Sequence, residues 1–306
     1  MLRAKGILMI VVGAMFWGAT GPMMEWILDQ GMSKQFLLIL RLLVAGAGLL
    51  AVLKWRGILI RRPFAQPFWT RKLIIFGIFG MLGVQYTFLA SIDTSNAVIA
   101  TLFQFLAPIY IILFVSFIQK AVPPIAQILG MLVTLIGLFL LLTDGTLEGF
   151  ALSREAVFWG IAVGFAFSFY TLYPARLMQE WGVLLVVGWG MIIGGVILLI
   201  FNPITFIKGI PTLFDWQVAL MLLGVIIIGT IAFVLFLGSM TYITPVETSV
   251  LSSFEPLTAM VISILWFGIR LGTFQLIGGV TMLVGVTAIS LIGNKVKTPE
   301  VELKIE

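Results

Sequence analysis

Residues 249–268 read SVLSSFEPLTAMVISILWFG, an apolar run broken near its middle by Glu255 and Pro256. Whether a carboxylate and a proline can sit there depends on the solvent around the stretch. The composition answers that question: 61% of the 306 residues are hydrophobic, only 10% are charged, and the mean hydropathy is +1.17. A soluble domain carries about half apolar and a quarter charged residues, so this chain belongs in a membrane. There, about 20 apolar residues in a helix cross the hydrocarbon core.

The same composition removes several chemistries. Cys and His are absent, which excludes disulfides, thiolate or imidazole metal sites, Ser/His or Cys/His catalysis and a histidine pH switch. Titratable chemistry falls to Asp, Glu, Lys, Arg and Tyr. No metal site, catalytic group or cofactor is implied. No GxxxxGK[ST] segment is present to cradle ATP. A net charge of +5 could point to nucleic acid, but the basic residues cluster in loops beside apolar runs, as membrane topology requires.

Apolar windows predict ten spans, near 7–28, 33–53, 72–92, 95–117, 125–143, 154–174, 182–201, 217–242, 245–268 and 272–292. Arg3 and Lys5 ahead of the first give it the look of a signal peptide. Its apolar region is long and no small-x-small cleavage site precedes the next span, so it reads as helix 1. With the N-terminus inside, thirteen loop Lys/Arg fall on the cytoplasmic side: Arg3, Lys5, Lys54, Arg56, Arg61, Arg62, Arg71, Lys72, Lys120, Arg176, Lys295, Lys297 and Lys304. Four, namely Lys34, Arg154, Lys208 and Arg270, fall opposite. That asymmetry predicts both termini in the cytoplasm of a multi-pass plasma-membrane protein, with residues 295–306 a mobile charged tail.

The chain also repeats itself. Residues 85–142 laid on 233–290, a shift of 148 (233 minus 85), match Phe88 with Phe236, Ser91 with Ser239, Pro108 with Pro256, Gln127 with Gln275, Gly130 with Gly278 and Gly137 with Gly285. Proline, glutamine and glycine matches weigh most, because each has a backbone or polar reason to recur. Pro22 and Pro174 correspond after a small change of offset. Five helices per half is an odd number, so the second half, 147–294, must insert upside down relative to the first, 1–146. Loop 143–153 joins them. The predicted fold is thus all-α and integral to the membrane: ten transmembrane helices as two inverted five-helix repeats. Such pairs build secondary transporters whose substrate site lies near the midplane.

Further stretches carry a family resemblance: FWG at 16–18, LRLLVAG at 40–46, LAPIYIILF at 106–114, and FEPLTAMVISILWFG with QLIGGVTMLVGV at 254–268 and 275–286. In order and at repeat spacing, they resemble the drug/metabolite transporter superfamily, in particular its ten-helix EamA-type members. The resemblance implies a secondary carrier, often an exporter of amino acids, other small metabolites or drugs, with ten helices around a central cavity. That family often places an acidic residue between the last two helices of each repeat. Here those connections read QKAVPP (119–124) and GIRLG (268–272), with a base instead.

Glu255 lies ten residues past Pro245, about 15 Å along a helix at ~1.5 Å per residue, close to mid-bilayer. A charge there costs about 2.5–3.5 kcal/mol, so it must face a cavity or a partner. Pro256 frees backbone carbonyls of the preceding turn, which is tolerable where they line water or protein. Thr248, Ser252 and Glu255 share a face, which therefore points into a polar cavity. Arg41, in helix 2, sits at similar depth, and an ion pair with Glu255 is within reach. The two are candidates to hold a charged or zwitterionic substrate, or a coupling proton on Glu255. A structural charge pair, or a carboxyl bonded to neighbouring hydroxyls, is the bland alternative.

Gln85 and Gln104 are amides at membrane depth and need partners. Trp17, Tyr86, Tyr110, Tyr170 and Tyr173 fall within spans, where aromatic rings pack or line a cavity able to attract a cation. From these the candidate substrate-binding set is Trp17, Arg41, Gln85, Tyr86, Gln104, Tyr170, Ser252 and Glu255. Glu25, Asp29 and Glu247 read as interfacial or capping residues. Gly77, Gly80, Gly83, Gly160, Gly164, Gly190 and Gly194 read as close-packing faces. The function classes in play are a carrier of small molecules, a multispan enzyme and a channel. Neither a nucleophile-base cluster nor a filter-like loop is visible for the last two.

Overall fold

A computed structural model describes residues 2–95, 97–146, 152–267 and 272–292. Among them every regular element is helical: α1 (Leu2–Asp29), α2 (Lys34–Trp55), α3 (Pro67–Ile75), α4 (Gly83–Thr94), α5 (Ala97–Gln104), α6 (Ala107–Gln119), α7 (Ile125–Thr143), α8 (Arg154–Leu172), α9 (Ala175–Trp181), α10 (Val183–Phe201), α11 (Pro203–Gly209), α12 (Trp216–Ser239), α13 (Pro245–Leu251), α14 (Phe254–Phe267) and α15 (Thr273–Ile292). The tail 295–306, residues 147–151 of the joining loop and residues 268–271 of GIRLG lie outside the described residues, as does the side chain of Glu25.

Eight helical stretches among the described residues are long and apolar enough to cross a membrane. The third, Pro67–Thr94, runs through a π-helical turn, Phe76–Leu82, between α3 and α4. The ninth expected span is two shorter helices, α13 and α14, and the tenth is α15. Local chemistry explains the ends. Ser33 Oγ accepts from the Phe36 amide at 3.3 Å, Ser153 Oγ from Ala156 at 3.1 Å, and Asp215 Oδ1 from Gln217 at 2.8 Å, each satisfying an orphan donor of a helix start.

Two spans break just before a proline. α5 stops at Gln104 and α13 at Leu251, and their continuations begin one residue before Pro108 and two before Pro256. A proline has no amide for the carbonyl four residues back, here Gln104 and Ser252, and its ring crowds that oxygen. The two breaks fall at equivalent positions of the repeat to within a residue.

Glycines set the closest approaches. A Cβ on Gly137 of α7 would stand 2.8 Å from the Gly278 carbonyl of α15, and one on Gly285 would stand 2.8 Å from the Gly130 carbonyl. Moving forward along α7 thus means moving backward along α15: the two run antiparallel. Gln275 ties the end of this pair, donating from Nε2 to the Leu141 carbonyl at 3.3 Å while its amide reaches Asp144 Oδ1 at 3.1 Å. Elsewhere α1 packs on α12 and α14, α2 on α10, and α8 on α4, α5 and α6. Gly77 and Gly190 read as packing positions and behave so: a Cβ on Gly77 would meet Ile193 of α10 at 2.7 Å.

Candidate functional site

The site begins at the break in the quoted stretch. The Ser252 carbonyl, denied its usual partner by Pro256, accepts from the Glu255 amide at 2.9 Å. This tight turn places Glu255 in the first turn of α14. The neighbouring hydroxyls are spent locally: Ser252 donates to the Ser249 carbonyl at 2.7 Å, Ser253 to Val250, and Thr248 shares a 3.1 Å contact with Ser239. None of them serves Glu255. Its Oε2 is buried with no hydrogen-bond partner, a costly state for a carboxylate away from water.

α1 reaches this turn through Gly18. A Cβ there would lie 2.4 Å from the Glu255 carbonyl and 2.8 Å from Thr258 Cβ, so only glycine lets the two backbones meet. At the equivalent place in the other half, Ser168 of α8 donates to the Ala107 carbonyl at 3.3 Å. Ala107, the repeat mate of Glu255, is fully buried and carries no charge, so the halves are chemically unequal here.

Arg41 enters from α2 and is only 7% exposed. Its Nη1 donates weakly to Met24 Sδ at 3.6 Å, and its guanidinium carbon stands 5.4 Å from the Phe233 ring centroid, a cation-π arrangement. Gly229 of α12 makes room for it, since a Cβ there would meet Nη2 at 2.8 Å. The charges of Arg41 and Glu255 lie within electrostatic reach of one another. They do not form the contact ion pair that their depths allowed; contact pairs form instead between Arg3 and Glu247 and between Lys34 and Asp93.

Beside the guanidinium stands an aromatic wall. Trp17 lies edge-on to Phe233 at 4.9 Å and beside Phe236 at 5.1 Å; Tyr170 lies 5.7 and 5.6 Å from the same two rings. Phe167 of α8 contacts Trp17 at 6.3 Å, and Phe76 of the π-helical turn stacks on Tyr170 at 6.2 Å. The indole Nε1 of Trp17 and the hydroxyl of Tyr170 are buried without partners. Two unpartnered donors and a guanidinium thus stand with rings contributed by α1, α8 and α12.

The structure brings together Trp17, Arg41 and Tyr170 through shared rings, and Arg41 with Glu255 through charge. Gln85 is buried, bonds the Met81 carbonyl from Nε2 at 2.9 Å and leaves Oε1 unpartnered. Gln104 is buried at the end of α5, and Ser252 is buried at the start of the break. Tyr86 is placed apart: it is 44% exposed with its ring edge-on to Trp159 at 6.0 Å. Tyr110 stacks on Phe165 and Tyr173 on Phe169. Glu247 is a cap as expected, closing a capping box with Thr244, but it is buried rather than interfacial because Arg3 covers it. Phe76, Phe167, Phe233, Met24 and Gly229 escaped the sequence reading. Among 25 phenylalanines only Phe236 stood out, through its repeat match to Phe88.

A bundle with eight helical stretches of membrane-crossing length, enclosing a buried cation and carboxylate, is a multi-pass helical membrane protein. More particularly, the chain belongs to the EamA-like transporter family, whose model matches residues 4–143 and 154–291. An uncharacterized inner membrane transporter of Salmonella typhimurium, YicL, is 37% identical over 289 residues, covering 94% of this chain and 95% of that protein. An uncharacterized transporter of Archaeoglobus fulgidus is 27% identical over 239 residues, 78% of this chain and 81% of that one. A protein of known crystal structure shares the fold, with a TM-score of 0.76 over 96% of this chain and 99% of that one at 21% identity.

Proposed function

We propose that the protein is a secondary active transporter that exports small organic metabolites, such as amino acids or drug-like compounds, across the plasma membrane by alternating access. Glu255 carries this reading. A buried carboxylate oxygen without a partner, at a helix break, is costly in a bilayer, and such breaks are where carriers of this architecture bind substrate or coupling ion. Glu255 then takes a substrate ammonium or a coupling proton, and Arg41 takes an anionic group. Trp17 and Tyr170 form the wall, and Gln85, Gln104 and Ser252 supply polar backbone or side-chain atoms along the path. Tyr86 is assigned no place in it.

The chain in this proposal crosses the membrane ten times, α13–α14 and α15 adding to the eight long stretches, with both termini cytoplasmic. Units 1–146 and 147–294 are inserted in opposite senses. The glycine contacts support that relation: under the repeat shift, Gly137 against Gly278 becomes Gly285 against Gly130, the reciprocal contact a two-fold axis requires. The packing pairs support it too, since α1 on α12 and α14 parallels α8 on α4 and on α5–α6.

Counterflow in proteoliposomes tests the class, with a labelled compound chosen by thermal-shift screening of amino acids, amines, sugars and nucleosides. A carrier drives label uphill against unlabelled compound inside. Equilibration without overshoot defines a channel, and a converted product defines an enzyme; either result ends the proposal.

A further inference from the structure

The connection from α2 to α3 carries a feature that transport does not use. Between Asp29 and Asp93 the chain contains no carboxylate, yet Lys54, Arg56, Arg61, Arg62, Arg71 and Lys72 crowd the segment from the end of α2 into α3. Lys54 and the four arginines are exposed, and none of the six forms an ion pair with a carboxylate among the described residues. Large apolar side chains stand exposed among them: Trp55 is 89%, Leu59 74% and Phe68 52% exposed.

The segment is nevertheless held in shape. Trp189 of α10 donates from Nε1 to the Ile60 carbonyl at 2.7 Å and lies edge-on to Phe64 at 4.7 Å. Pro63 is buried within the short 3-10 turn Arg62–Ala65, and Thr70 donates to the Pro63 and Gln66 carbonyls at 3.3 and 3.1 Å. Lys72 lies over the Phe68 ring at 5.0 Å. A shaped group of cations that forms no ion pair among the described residues, beside exposed apolar side chains, matches two demands of a lipid interface at once: side chains for the acyl boundary and donors for phosphate.

We infer that residues 54–72 form a docking surface for anionic phospholipid headgroups, with Arg56, Arg61 and Arg62 as the phosphate-binding side chains and Trp55, Leu59 and Phe68 inserted beside them. Arginine suits this role because its planar fork holds two phosphate oxygens together and stays charged. The surface holds the α2–α3 connection against one leaflet, which is also the leaflet on which this segment's charge predicts the cytoplasm.

The test uses the full-length protein in dodecyl maltoside, with dansyl-labelled phosphatidylglycerol as acceptor for tryptophan energy transfer. Unlabelled phosphatidylglycerol should displace the probe at a concentration at least tenfold below that needed for phosphatidylcholine, and about 0.5 M NaCl should abolish most of the difference. R56Q/R61Q/R62Q should lose at least tenfold in affinity for the probe, R56K/R61K/R62K should lose less because the charge remains while the fork is gone, and K208Q should keep most of it. Each single glutamine variant should lose two- to fivefold, so the measurement stands if the triple variant does not fold. Equal displacement by phosphatidylcholine, displacement by inorganic phosphate, or unchanged binding by folded glutamine variants would overturn the inference. None of these readouts depends on whether the protein transports.

Discussion

Gly18 of α1 and Glu255 of α14 meet backbone to backbone, so closely that a single added methyl on Gly18 would stand 2.4 Å from the Glu255 carbonyl. The contact binds the first helix of the chain to the helix break that carries the buried carboxylate. It also predicts a position where a small uncharged change disturbs the site. Gly18→Ala should cut counterflow by tenfold or more and lower stability by about 1–3 kcal/mol, as overpacking does. Gly48→Ala, in α2 with nothing within 4 Å of its added Cβ, is the control and should be neutral or slightly stabilising. Full activity in Gly18→Ala would show that α1 and α14 can part without consequence.

Glu255→Gln keeps the shape and removes the charge. Expressed to the level of the parent, it should lose more than 90% of transport rate, and what remains should no longer vary with pH. Unchanged rate and pH dependence would remove Glu255 from the mechanism.

In the proposed site Arg41 is paired with Glu255, so their substitutions should be non-additive. Arg41→Gln alone should cost about 1–3 kcal/mol, because it removes a buried cation packed on Phe233 and bonded to Met24. Adding Glu255→Gln should recover about 1–2 kcal/mol of that, read as thermal stability of the purified protein. Strict additivity would place the two charges in separate environments.

Glu247 holds three partners at the start of α13: the Thr244 amide at 3.0 Å, the Thr244 hydroxyl at 3.1 Å, and Arg3 of α1. Glu247→Ala should therefore lower stability by about 2 kcal/mol or more, beyond the ~1 kcal/mol expected when Thr244→Ala removes the cap alone. Equal losses in the two variants would mean that the link to Arg3 contributes nothing.

Gly137 and Gly285 correspond under the repeat shift and each packs its Cα face against a carbonyl of the partner helix, so alanine at either should destabilise by a similar amount, about 1–3 kcal/mol. A marked difference between Gly137→Ala and Gly285→Ala would count against the proposed two-fold relation.

How much of this was legible varies element by element. The break ahead of Pro256 could be anticipated from the proline, whose missing amide acts on the turn before it wherever the helix lies. The cap at Glu247 could be read from its place just after Pro245, but its burial could not, because Arg3 lies 244 residues away in the chain. Helical spacing puts Thr248, Ser252 and Glu255 on one face, where the hydroxyls could serve the carboxyl. The turn at the break instead sent their hydroxyls to nearby groups, since a short local bond costs less chain entropy than a distant one.

By itself the sequence determined the solvent, the approximate spans, the recurring glycines and prolines, and the presence of a carboxylate at membrane depth. These follow from hydrophobicity and backbone restriction, which act residue by residue. Only the tertiary structure decided which rings surround Arg41, that Tyr86 stands apart from them, and that Glu255 meets Gly18 while its Oε2 meets no donor. The reason is that in a chain 61% hydrophobic nearly every helix face is apolar, so patterning cannot say which face meets which. That choice belongs to packing, through the few glycines that let backbones touch and the volumes of the side chains between them.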